Sequence, residues 1–173
     1  MRKSLKSPIG IGLILSFAVL SVPSTSAAET NPYGGIAVKA PGANETILVV
    51  SKGKVVVNLS MKKLQSMKSK TISINEPFVK KVQSFRVIKL SAIFLLAGIK
   101  GTDKVDTHAL NDYVYSNSAA NFLSANGYLA ISRSGKPIGY DEGGPIRIIF
   151  EDSSKWAKFL DPWNWSLKKI KVS

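Results

Sequence analysis

The stretch Tyr128–Phe150, YLAISRSGKPIGYDEGGPIRIIF, decides how this chain folds. Its ends, Tyr128 to Arg133 and Ile146 to Phe150, are apolar runs of strand length and composition. The loop between them is punctuated by Gly135, Gly139, Gly143 and Gly144, residues that let a backbone turn sharply.

Working outward, the reading is of short elements. SNSAANFLSANG, just upstream, predicts a short helix stopped by Asn126-Gly127, and KVDTHALNDY a strand running into a polar corner at Asn111-Asp112. In VQSFRVIKLSAIFLLAGIKG, Val82 to Ile88 reads as a strand and Leu90 to Ala97 as an apolar helix capped by Gly98. KTISINE alternates Ile72 and Ile74 as a strand should, and Pro77 ends it. Ser60 is placed to cap a helix, MKKLQSM, whose Met61, Leu64 and Met67 share a face. Thr46 to Leu59 reads as a hairpin turning at Gly53, and residues 29–45 as a flexible lead-in rich in Gly, Pro and Asn.

Downstream, SSKWAKF suggests a helical turn, and LDPWNWSLKKIKV a closing strand. Trp163, Trp165 and Leu167 would point to one side of that strand, with Ile170 and Val172 of opposite parity. A bulge near Lys168-Lys169 would bring both sets onto the core face. The tryptophans then read as buried anchors, and at least one indole N–H needs an acceptor. Strands and short helices without a regular βαβ period predict an α+β domain with a mixed or antiparallel sheet, over residues 46–173.

Residues 1–28 have the form of an export signal: Arg2, Lys3 and Lys6, then the apolar stretch Ile9 to Val22, then small residues at Ser26 and Ala28. The apolar run is short for a bilayer-spanning helix, which needs ~20 residues. The expectation is therefore an extracytoplasmic protein (secreted, periplasmic or at the cell surface) with no transmembrane segment in the mature chain. Retention of the segment as an anchor is the alternative. The chain has no cysteine, so disulfides, a cysteine nucleophile and thiolate metal ligands are excluded. The formal charge is +13, and loss of the three signal-peptide cations lowers it to +10. Such a field attracts anions. For an exported protein these are anionic envelope components or a small anion rather than nucleic acid.

Chemistry-bearing motifs are sparse. The single histidine, His108, sits in a strand pattern with no nucleophile elbow or partner motif and reads as structural. Asp141-Glu142 read as solvated turn residues, and Gly143-Gly144 as a possible backbone nest for an anion. Asn111, Asp112 and Tyr113 form a compact polar cluster at a strand end, where sites often lie.

Taken in order, ALNDY, YLAISRSGKPIGYDEGGPIRIIF and WNWSLKKIKV, with FRVIKLSAIFLLAGI before them, resemble small exported proteins of the sulfite-oxidase-like, or oxidoreductase molybdopterin-binding, superfamily. The resemblance spans roughly Thr46 to Val172, and GKPI…GGPIRIIF is its most specific part. It implies an α+β domain in which catalytic members hold molybdenum through a pterin dithiolene and one protein cysteine, a soft ligand suited to that metal. That cysteine would fall near Ile74 to Glu76, where this chain has none, and Glu142 stands where catalytic relatives tend to have a histidine. The expectation is a non-catalytic exported domain, without cofactor, that binds an unknown partner or small anionic ligand. The alternatives are a molybdopterin-dependent oxidoreductase that dispenses with the thiolate, and a basic module adhering to anionic wall or membrane. Any pocket is expected where the loop after Asn111 meets the loop from Tyr140 to Arg147, with Asn111, Asp112, Tyr140 and an anion-pairing Arg147 as its candidate residues.

Overall fold

The computed structural model describes residues 40–173; the expected export signal and residues 29–39 of the lead-in lie outside them. The described residues form strands β1 (Thr46–Lys52), β2 (Val55–Ser60), β3 (Lys70–Glu76), β4 (Lys81–Lys89), β5 (Lys104–Ala109), β6 (Val114–Ser118), β7 (Gly127–Arg133), β8 (Arg147–Phe150) and β9 (Leu167–Val172). Three short helices interleave with them: α1 (Met61–Gln65), α2 (Leu90–Leu96) and α3 (Ala119–Ser124). The class is α+β and sheet-dominated. Two sheets are present. One has five strands in the order β2-β1-β9-β5-β6, and the other four in the order β3-β4-β7-β8. The four-stranded sheet is wholly antiparallel, and β7 and β8 of the opening stretch pair directly, Leu129 opposite Ile148. In the five-stranded sheet β1 and β9 run parallel, while the other pairs are antiparallel.

One core serves both sheets. Leu48, Val50 and Ile170 from the first and Phe85, Leu129 and Ile148 from the second belong to a single buried cluster with Leu90, Ile93 and Phe122 of the helices. The local signals work as expected at several points. The Ser60 hydroxyl accepts from the Lys63 N–H at 3.2 Å, and Leu64 is buried on the face it shares with the partly buried Met61 and Met67. Gly98, at φ +67°, closes α2 in the left-handed conformation that glycine adopts without a Cβ penalty.

Other expectations need correction. Val114–Ser118 is a strand: β5 turns back on itself through Ala109–Tyr113, with Asp112 at φ +64°, and pairs β6 in register. The run is short and mostly polar, so its own pattern carries no strand signal; β5 supplies the ladder. SSKWAKF is not helical but a series of turns, including Ala157 N–H to Ser154 O at 3.0 Å, because Trp156 is drawn inward against Phe122 and Phe150, with ring centroids 5.3 and 5.4 Å away. The closing strand begins only at Leu167, since Ser166 at φ +48° breaks the extended backbone before it. Trp163 is nonetheless a buried anchor whose indole N–H donates to the Trp156 carbonyl at 2.8 Å. Trp165 is half-buried, and its enclosed indole Nε1 has no hydrogen-bond partner. The expected bulge is present: Ala109 pairs with Leu167 and His108 with Lys169, leaving Lys168 as the extra residue.

Candidate functional site

The strand parity of β3 places its last carboxylate inside. Ile72, Ile74 and Glu76 share one face, and Glu76 is as buried as Ile74. Its Oε1 accepts from Arg147 Nη2 at 2.5 Å, and its Oε2 accepts from the backbone N–H groups of Phe78 and Val79 at 2.9 and 2.8 Å. Arg147, the first residue of β8, is buried on the same spot. Its Nη1 donates to the Glu142 carbonyl at 3.0 Å, and its guanidinium carbon lies 4.1 Å from the Trp165 ring centre. Phe78 packs edge-on to Trp165, at 4.7 Å between ring centres. Arg147 is thus committed to an internal carboxylate and an aromatic face. The expectation that it meets an external anion is corrected: every residue of β8 is buried, so its arginine needed an internal counter-charge, and β3 supplies it.

The end of β3 is also where the resemblance implies a metal thiolate. Ile74 there is packed in the core. Asn75 is turned outward, its N–H and side-chain amide donating to Asp152 at 2.8 and 2.7 Å. Glu76 is saturated as described. None of the three offers a soft donor, so the residues at this position do not fit a thiolate-held molybdenum centre. Among the described residues no three His, Cys, Asp or Glu side chains converge on a metal-sized site.

The glycine loop packs tightly rather than opening a nest. Gly143 N–H donates to Tyr140 O at 3.1 Å and Gly144 N–H to Gly139 O at 2.8 Å, so neither amide is available to an anion. Gly143 lies at φ +79°, and a Cβ there would fall 2.5 Å from Trp165 Cδ2. Tyr140–Glu142 form one turn of 3-10 helix. Asp141 is exposed as expected, but Glu142 is half-buried and pairs with Arg133.

Tyr140 does reach a groove. A depression of about 340 Å³ is lined by Pro41, Glu45, Ile47, Val49, Leu110, Tyr140, Pro145, Leu167, Lys168 and Lys169, among others. This is where the strand end before Asn111 meets the glycine loop. Its size is at the lower end of small-ligand sites, roughly 300–1,000 Å³. Most of the wall is apolar, and its cations come from two adjacent lysines. In a regular strand Lys168 and Lys169 would point to opposite faces; the bulge at Lys168 is what lets both line one groove.

Asn111 and Asp112 do not line this groove. The Asn111 Oδ1 accepts from the Tyr113 N–H at 3.3 Å, closing the turn locally. Asp112 is bonded to Lys168 Nζ at 2.7 Å, and that bond holds its carboxyl below the usual carboxylate range. Its part is to orient a groove lysine from outside. Glu45, Leu110, Lys168 and Lys169 are groove residues that sequence reasoning missed. Glu76 was missed too, although its parity with Ile72 and Ile74 was a legible signal. His108 lies within β5 with an enclosed Nε2 that has no hydrogen-bond partner.

No protein-family model matches the chain, and no curated protein matches it in sequence. Among solved structures it is similar to the sulfane dehydrogenase SoxCD from Paracoccus pantotrophus, with a TM-score of 0.57 and 12% identity over 88% of this chain. The aligned region is 49% of that chain, so this protein spans about half its length. At such identity the likeness is one of fold alone.

Proposed function

We propose that this chain is an exported, non-catalytic domain on the sulfite-oxidase-like, molybdopterin-binding fold, and that it binds a small anionic ligand in the groove beside Tyr140. The likeness to the sulfane dehydrogenase supports the fold side of this reading, and the N-terminal export pattern supports an extracytoplasmic location. The observation that carries the non-catalytic side is the Glu76–Arg147 pair. It occupies the end of β3 with matched, buried charge, where the resemblance implies a metal-ligating sulfur. Lys169, with Lys168 held by Asp112, supplies positive charge over an apolar wall and suits an anion with an apolar body.

The deciding experiment is elemental and pterin analysis of the protein purified from its own host. The expected result is substoichiometric molybdenum and no released pterin. One molybdenum per chain, with turnover of an oxidisable substrate, would overturn the reading in favour of a thiolate-free oxidoreductase.

A further inference from the structure

Helix α2 is apolar on more sides than its packing needs. Leu90, Ile93 and Phe94 face the core, yet Leu95 is 77% exposed and Leu96 38%. A short helix with apolar residues on its outer face lacks the polar side that solvent favours. Leu95 is the most exposed large hydrophobic side chain among the described residues. Beside it runs a second groove, of about 460 Å³, walled by Val87, Ala92 and Leu95 and edged by Lys68, Lys70 and Lys89. It shares no lining residue with the Tyr140 groove. No acidic residue lines it; Glu151 lies alongside, bonded to Lys70 at 2.7 Å. Lys68 and Lys89 form no ion pair among the described residues.

An apolar ridge ringed by lysines is complementary to one kind of surface above others: a bilayer with anionic headgroups. Hydrocarbon at the boundary accepts leucine, and phosphates meet the ammonium groups without burying them. A polyanion without apolar groups would satisfy the lysines but leave the leucines without a match. We infer that the face formed by α2 and the Lys68–Lys70 segment docks the protein on an anionic lipid surface, with Leu95 seated among the headgroups. Among the described residues no helix is long and apolar enough to cross a membrane, and this mode of contact needs none. The inference rests on the exported location but not on the Tyr140 groove, so molybdenum in the purified protein would leave it standing.

The test is co-sedimentation of the purified full chain with phosphatidylcholine vesicles, alone or mixed with phosphatidylglycerol, near physiological ionic strength, where the Debye length is ~8 Å. Binding is expected to the anionic vesicles only. Leu95→Asp should weaken it about tenfold or more, since a leucine's burial is lost. Lys68→Gln/Lys89→Gln should weaken it about thirtyfold, ~1 kcal/mol per lysine. Lys54→Gln/Lys158→Gln removes the same charge from exposed turns elsewhere and should leave binding within about twofold, on the same surface-charge reasoning. All five substituted positions are exposed, and circular dichroism verifies that each variant folds. Absence of binding to anionic vesicles overturns the inference. So does an equal loss in the control pair, which would reduce the effect to net charge. Undiminished binding by Leu95→Asp, with equal retention on polyglutamate, would point instead to a purely electrostatic protein contact.

Discussion

The Arg147 guanidinium and the Glu76 carboxylate, 71 residues apart in sequence, meet at 2.5 Å inside the core, with 3% and 1% of their side chains exposed. Each removes the other's need for solvent, and two backbone amides complete the carboxylate's bonding. Breaking such a pair leaves a buried charge without compensation, whereas replacing both members by apolar groups is often neutral. Glu76→Gln is therefore expected to cost about 3–5 kcal/mol in urea unfolding. The double variant Glu76→Leu/Arg147→Met should cost clearly less than the sum of its single changes. Additive costs would mean that the two side chains do not act as a pair.

Gly143 and Gly135 have nearly the same backbone conformation, φ +79° and φ +76°, in different surroundings. At Gly135 a Cβ meets nothing within 4 Å, while at Gly143 it would press into the Trp165 ring. Gly135→Ala should cost about 1–2 kcal/mol, the left-handed backbone penalty. Gly143→Ala should cost ~1–3 kcal/mol more, from overpacking against Trp165. Denaturant midpoints of the two variants measure the difference directly. Equal losses would show that the indole moves aside freely.

The two tryptophans of WNW also separate cleanly. Trp163 donates its indole N–H to Trp156 O, and Trp165 keeps a buried N–H with no acceptor. Trp163→Phe loses a buried hydrogen bond and leaves the Trp156 carbonyl only the longer bond from the Phe159 N–H at 3.3 Å, at about 0.5–1.5 kcal/mol beyond the lost area. Trp165→Phe keeps a ring against Arg147 and removes an unmatched donor, so it should be the milder change. Thermal unfolding of both variants ranks them, and the reverse order would contradict the bonding described.

Burial holds the His108 imidazole pKa below its usual 6.5; Lys169, Lys168 and Lys171 push the same way, and Asp106 opposes them. The unfolded chain therefore takes up the proton first as pH falls below 6.5, and stability is lost from there down to the folded value. Glu151, Asp103 and Asp112 are also held low, chiefly by their lysine partners, and their contribution is lost only in the more acidic carboxylate range. Melting temperature should thus decline in the wild type as pH falls below about 6.5, before the carboxylate range is reached, and flatten there for His108→Gln. An unchanged profile would assign the slope to another group.

Much of the fold was legible because neighbouring residues dictate it. The apolar runs of Tyr128–Phe150, the Ser60 cap, the Gly98 stop and the Ile72–Ile74 alternation each act over a few residues, where backbone sterics and local hydrogen bonds dominate. The bulge at Lys168 was legible too, since the parity of the apolar residues around it required one. The candidate site was less so. The pocket was expected where the loop after Asn111 meets the Tyr140 to Arg147 loop; Tyr140 does line a groove, but with Leu110, while Asn111 and Asp112 are turn and orienting residues and Arg147 a core residue.

By itself the sequence determined the α+β class, most of the element boundaries, the basic surface and the absence of any cysteine thiolate. Only the tertiary structure decided that β6 exists, that Trp156 overrides a helix, that Arg147 spends its charge on Glu76, and that Leu95 is left facing outward. The physical reason is range. Propensity and parity state which way a side chain points from its own strand or helix, but a buried charge or an exposed leucine is defined by what another part of the chain brings to meet it, or fails to bring.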